Sequence, residues 1–224
     1  MLRGRAAGAP ARILSLMRLD SAGLPFIGGA LLAAVVSGAI GGWPYAIPFI
    51  AISAFFAFFF RDPDRTPPRD GEVVVSPADG RVLVAGPAVA AASPAGSWLQ
   101  VSIFLSPMDV HVNRIPVSGR VMNVAYTPGK FLPAYRHEAG GANERSEIWI
   151  DHNGQAIVAR QIVGILARRV VCRVQNGAEV RAGDRYGIMK FGSRMDIFLP
   201  TTATLKVEVG QTVRGGETVI AVLH

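Results

Sequence analysis

Cysteine is nearly missing from this chain: Cys172 is the only one in 224 residues. A single thiol excludes an intramolecular disulfide and any multi-cysteine metal site, and the flanks from Arg168 to Val174 read as a buried strand with Cys172 as a small core residue. Charge is sparse as well, 17% of residues against 50% hydrophobic, a balance that excludes a disordered tail protein. Lysine is scarcer still. Only 3 of the 23 basic residues are Lys, so the formal charge of +7 rests on arginine, whose planar fork suits phosphate and carboxylate partners.

The longest absence is local. No charged residue occurs from Ser21 to Phe60, and the turn Gly41-Gly42-Trp43-Pro44 divides this gap into apolar runs from Leu24 to Ile40 and from Tyr45 to Phe60. Helices of that length reach about 25 Å, at the short edge of a hydrocarbon core of about 30 Å, so two short spans and a shallow hairpin both fit. Arginines flank the hairpin on both sides (Arg3, Arg5, Arg12 and Arg18 before it; Arg61, Arg65 and Arg69 after it). The positive-inside rule then puts both flanks, and the body beyond them, on the cytoplasmic face of the cell membrane. A cleaved signal peptide is the competing reading; the second apolar run and the lack of a cleavage site weigh against it. Residues 10 to 20 fit an interfacial helix or a solvated basic arm.

The division into domains follows. Residues 1–60 form a basic arm and a membrane-associated apolar helical hairpin. The stretch 61–70, with Arg61-Asp62-Pro63-Asp64-Arg65-Thr66-Pro67-Pro68-Arg69, cannot continue a helix and reads as a linker. From 71 to 224 short β-branched runs alternate with Gly, Pro and Asn turns, which predicts a mainly β catalytic domain of many short strands, with one helical turn near Leu132 to Arg136. Ser76-Pro77-Ala78-Asp79-Gly80-Arg81-Val82 faintly echoes Lys206 to Ala221. Both look like the strand-turn-strand units of biotinyl and lipoyl carriers, so the expected fold is a biotinyl/lipoyl-like barrel-sandwich.

Several motifs remain after this partition. They are Phe60-Arg61-Asp62-Pro63-Asp64-Arg65, Ser76-Pro77-Ala78-Asp79-Gly80, Phe104 to Pro116 with Asp109-Val110-His111-Val112-Asn113-Arg114, Asn143-Glu144-Arg145, Val158 to Gly164, and Ile188 to Pro200 with Phe191-Gly192-Ser193. In this order they resemble the short form of the phosphatidylserine decarboxylase proenzymes, from about Phe60 to the C-terminus. The resemblance implies self-cleavage between Gly192 and Ser193, giving a large chain 1–192 and a small chain 193–224 that stay together as a heterodimer, with a higher homo-oligomer left open. It also implies that Ser193 becomes a covalent pyruvoyl group, the pyruvate cofactor, whose ketone condenses with the amine of phosphatidylserine and takes up the electron pair freed as carbon dioxide leaves. Phosphatidylethanolamine is the expected product. The expected partners are phosphatidylserine and an anionic membrane surface, with no nucleic acid and no metal.

The residue types suit that chemistry. Ser193 Oγ can attack the Gly192 carbonyl, which glycine leaves unshielded, provided that a base takes the hydroxyl proton. Among the four histidines His224 is terminal and His152 sits in the turn Asp151-His152-Asn153-Gly154, so both read as solvated. His111, inside the motif, is the expected base, and Asp79 matches the family aspartate that would orient one. Larger bacterial members carry a second histidine where this chain has Arg114, so His111 serves both steps or Arg114 holds the substrate carboxylate or phosphate. His137, in a glycine-rich loop, is the other substrate-binding candidate, while Asp109 reads as structural. Two alternatives stand beside this reading: a carrier module modified at Lys190 in Ile188-Met189-Lys190, and a membrane-anchored zinc peptidase, which would need a histidine pair that this chain lacks.

Overall fold

The computed structural model describes residues 18–89, 92–165, 170–190 and 193–224. In chain order the first elements are β1 (Arg18–Leu19), α1 (Leu24–Gly41), α2 (Trp43–Phe59), β2 (Arg61–Asp62), β3 (Val73–Val75), β4 (Gly80–Pro87), β5 (Leu99–Leu105), β6 (Val112–Arg114) and β7 (Gly119–Thr127). There follow α3 (Ala139–Ala142), β8 (Arg145–His152), β9 (Gln155–Val163), β10 (Val170–Cys172), β11 (Glu179–Val180), β12 (Arg185–Met189), β13 (Ser193–Leu199), β14 (Thr204–Leu205), β15 (Thr212–Val213) and β16 (Val219–Val222).

The apolar gap folds as expected into two antiparallel helices. Pro25 and Pro44 sit in their first turns, where a missing N–H costs nothing, and Gly42 at φ 92° makes the break between them. Ser21–Gly41 is long and apolar enough to cross a membrane; α2 is shorter. Much of the hairpin surface is bare hydrocarbon, with Ile40 85% and Trp43 76% exposed. Of the arm, Arg18 and Leu19 form a strand paired with Arg61 and Asp62 rather than a helix, and residues 1–17, with the rest of that expectation, lie outside the described residues.

The body is mainly β, as the alternation of short apolar runs and turns predicts. Its sheets are open, so it is a β-sandwich and not a closed barrel. One sheet has the order β11-β7-β8-β9-β13-β5-β4-β15, and two small sheets have the orders β10-β12-β6 and β14-β16-β3. The helical turn expected near Leu132 to Arg136 lies further along, at Ala139–Ala142.

The large sheet reads as a palindrome about β9 and β13. Gly80 pairs with Val213 and Arg81 with Thr212; in the other half Gly119 pairs with Val180 and Arg120 with Glu179. The bulge between Val82 and Val84 is matched by one between Val121 and Asn123. The small sheets match as well: Val74 opposite Ala221 corresponds to Asn113 opposite Gly187. Gly80 and Gly119 explain the repeated Gly-Arg-Val, since a Cβ on either would come within 2.2 Å of a carbonyl oxygen, of Phe104 or of Asp151.

One difference separates the halves. β8 runs into β9 through a tight hairpin in which Asn153 (φ 52°) and Gly154 (φ 83°) both take the left-handed conformation that such turns require. The equivalent junction would join Leu105 to Ser193, which pair across β5 and β13. Here the chain leaves at Leu105, builds the whole other half and returns at Ser193.

Candidate active site

Ser193 opens β13, between Leu105 of β5 and Val163 of β9, with no exposed surface and no hydrogen-bond partner for Oγ. His111 immediately precedes β6 and is also fully buried. Its carbonyl accepts from Met189 N at 3.3 Å, and Met189 ends the strand before the segment that returns at Ser193. The two residues are thus each tied to the other's near neighbours in the chain.

His111 Nδ1 lies 3.0 Å from the carbonyl oxygen of Asp109. A carbonyl only accepts, so Nδ1 carries the proton and Nε2 is left as the acceptor, buried and without a partner. The imidazole also packs against the Phe59 ring. Burial lowers its pKa to about 4, outweighing the Asp109 carbonyl and carboxylate, so the ring is neutral at pH 7. Asp109 is structural in a specific way: its carboxylate accepts from Ser106 N at 2.8 Å and holds the turn whose carbonyl fixes the imidazole.

Asp79 is elsewhere engaged. It accepts from Arg65 Nη2 and from Gly215 N, each at 2.7 Å, and Arg65 also bonds Glu217. Desolvation raises the Asp79 pKa despite these partners. Among the described residues no hydrogen bond joins it to a histidine; the group that meets His111 Nδ1 is the Asp109 main-chain carbonyl, which no side-chain motif could reveal. Arg114 is buried and engaged by the body itself. Its guanidinium donates to Asp62 at 3.0 Å and to the carbonyls of Pro63 and Gly183, all in the interior. Asp62 also bonds Arg185, so the stretch expected as a linker, 61–70, is strapped onto the body.

His137 stands exposed in the turn before α3, next to Arg136, whose carbonyl accepts from Arg194, the neighbour of Ser193. His152 is corrected: it is not solvated but 7% exposed at the end of β8, with Nδ1 2.6 Å from the Ser118 carbonyl. His224 is exposed beside Thr204. Cys172 is half-buried in β10 with its pKa raised by burial. Lys190 is half-buried against the hairpin, Nζ 5.0 Å from the Phe26 ring. Among the described residues no group of three metal-ligating side chains gathers. Gly192 lies outside the described residues.

Fold and site together describe a β-sandwich that buries an unpartnered serine hydroxyl and an unpartnered imidazole nitrogen in its interior, beside a hydrophobic hairpin. Comparison with known proteins agrees on a family: the profile of phosphatidylserine decarboxylase matches residues 52–221. The chain is 46% identical over 179 residues to the phosphatidylserine decarboxylase proenzyme of Prosthecochloris aestuarii, covering 78% of this chain and 82% of that one. It is 41% identical over 201 residues to the proenzyme of Geotalea daltonii (89% and 94% covered) and 39% over 203 residues to that of Nitrosomonas europaea (90% and 94%). The chain belongs to the phosphatidylserine decarboxylase family.

Proposed function

We propose that this protein is a precursor that cuts itself between Gly192 and Ser193 and then, through a pyruvoyl group formed from Ser193, decarboxylates phosphatidylserine to phosphatidylethanolamine. The observation that carries this reading is the pair of buried, unpartnered atoms Ser193 Oγ and His111 Nε2. A hydroxyl and a free-base imidazole nitrogen left without partners in the interior are costly to bury, and a native fold that keeps them calls for a role such as proton transfer. The site fits the cofactor for the same reason, since its source hydroxyl is shielded from water. When formed, the pyruvoyl group supplies a ketone that stores the electron pair released with carbon dioxide.

His111 takes the Ser193 proton through Nε2 during cleavage, and the Asp109 carbonyl keeps that nitrogen free. Asp79, with Arg65, and Arg114, with Asp62, hold the surrounding loops rather than touching the reacting bond. His137 is exposed where it can meet a lipid headgroup. The hairpin brings its bare apolar surface to the membrane, and the arginines at its ends support a body on the cytoplasmic side, where anionic headgroups add about 1 kcal/mol of attraction per nearby basic side chain. The small chain 193–224 stays with the large chain as a heterodimer through β13.

Intact mass of the purified protein tests the reading. The expected result is two chains, the smaller starting at position 193 with a keto acid in place of an amine, and a single uncut chain for Ser193→Ala. An active, unbroken chain with a serine hydroxyl at 193 overturns it.

A further inference from the structure

Two more buried polar side chains meet across the sandwich, Gln161 on the sheet that holds Ser193 and Asn113 on the small-sheet strand that follows His111. Gln161 of β9 pairs with Met195 while Val163 pairs with Ser193. Cross-strand partners share a face and side chains alternate, so Gln161 is the diagonal neighbour of Ser193, roughly 7–8 Å away on the same face. Its Nε2 donates to Asn113 Oδ1 at 2.8 Å and lies 3.4 Å from the Val171 carbonyl. Asn113 is two residues from His111, and all four side chains are completely buried. The Val171 carbonyl accepts only, which fixes the Gln161 amide; Asn113 must then accept through Oδ1, leaving its Nδ2 as a buried donor with no partner.

The other half of the sandwich is an internal control. By the matched registers, Val74 occupies the place of Asn113 and Leu199 that of Gln161, both fully buried. Ala221 stands where the other half has Gly187, at which a Cβ would come within 2.4 Å of the Val171 carbonyl oxygen and 2.7 Å of Gln161 Nε2. The fold fills the places of Asn113 and Gln161 with hydrocarbon in one half, and in the half that holds His111 it instead buries two amides.

We propose that Asn113 Nδ2, aimed by Gln161, is the hydrogen-bond donor for the oxyanion of self-cleavage. The inference rests on the processing reaction proposed above. Ser193 Oγ gives its proton to His111 Nε2 and bonds to the carbonyl carbon immediately before it. The carbonyl π pair moves onto oxygen, where Asn113 Nδ2–H meets the charge. On collapse the pair returns, the bond to Ser193 N breaks, and that nitrogen takes the proton back from His111, leaving an ester with no outside reagent consumed. That oxygen belongs to the peptide unit of Ser193 N and so is covalently held beside the residue whose diagonal neighbour is Gln161. Gln161 is a positioning residue, because it acts through Asn113.

The test is the rate at which freshly synthesised full-length precursor splits, followed by denaturing electrophoresis. Asn113→Ala is expected to split about 10²- to 10³-fold more slowly, the usual loss for one oxyanion donor. Hydroxylamine, which cleaves esters, does not restore splitting if the ester never forms. The pair Asn113→Val with Gln161→Leu, which copies the other half, is expected to melt no lower than the parent and to stay uncut, so that misfolding cannot imitate the result. Gln161→Glu removes the donor that holds Asn113 and is expected to add a loss of rate as pH rises. Splitting of Asn113→Ala or of the double variant at the parental rate, or rapid splitting of either by hydroxylamine, overturns the proposal. A parent that itself stays uncut sinks the processing reading instead.

Discussion

The ring of Phe59, the last residue of α2, lies 4.1 Å from the imidazole of His111 between centroids, and neither side chain has exposed surface. The hairpin is therefore built into the part of the body that holds His111. Its base, Phe59 with Phe60, forms a cluster with Val110, Val112 and Ile188, and so packs on the strands that carry His111 and lead toward Ser193. Seating the hairpin is part of what keeps His111 dry and neutral.

A pH dependence follows from that contact. His111 is neutral in the fold down to about pH 4, while in the unfolded chain it takes up a proton near 6.5. The unfolded state thus binds more protons between those values, and folding stability falls as pH drops from 6.5 to about 4, by roughly 3 kcal/mol in all. The rate of self-cleavage is expected to stay flat down to pH 5 and to halve near pH 4, measured by pH jumps on fresh precursor. A midpoint near 6.5 contradicts the burial argument. His111→Gln is expected to abolish splitting and to flatten the acid limb of the stability curve.

Arg114 and Asp62 make a different kind of prediction. Both are buried, and removing Arg114 leaves Asp62 only its bond to Arg185 and takes the donor from the Pro63 and Gly183 carbonyls, a loss approaching the roughly 3–5 kcal/mol of a broken buried pair. Arg114→Leu is expected to lower the melting temperature sharply. If it folds normally and only weakens substrate binding, Arg114 is an anion site after all.

Asp79→Asn separates a structural role from a catalytic one. The amide oxygen can still accept from Gly215 N, and only the ion pair with Arg65 is weakened. Processing is expected to remain within a few-fold of the parent in a precursor chase, with a small loss of thermal stability. A loss of a hundredfold or more shows that the carboxylate itself drives the chemistry.

The hairpin's outer surface predicts binding to bilayers. The protein is expected to float with phosphatidylserine-containing vesicles, and Leu32→Glu with Val35→Glu, two exposed positions on α1, to leave it in solution while Ser193 is still processed. Processing failure in this variant contradicts the division between anchor and core.

Much of this was legible in the residues. The uncharged stretch and its Gly-Trp-Pro break placed both helices because burial and turn chemistry are local properties. Most of the strands were visible for the same reason, but β6, β11 and β15 are two or three residues long and owe their form to partners far away in the chain. The duplication was seen only as an echo between the wrong pair of segments. Its true members are Pro77-Ala78-Asp79-Gly80-Arg81-Val82 and Pro116-Val117-Ser118-Gly119-Arg120-Val121, disguised because Asp79 and Ser118 differ in role. Ser193 and His111 stood out through their motifs, whereas Asn113 and Gln161 did not, since an amide in a strand carries no chemical signature until its neighbours are known. Nothing in the sequence signals that Asp62 reaches Arg114, because the two are brought together only by the folded chain.

The return of the chain at Ser193 bears on what the proposed cut would leave behind. β13 lies in the middle of the large sheet, and β14 to β16 pair with one another and with β3 and β4, so severing the backbone there would detach nothing. The terminus so made would be enclosed by Leu105 and Val163, out of reach of stray thiols and amines in solution. Such shelter would let a cell keep the proposed ketone on a protein without losing it to the wrong nucleophile.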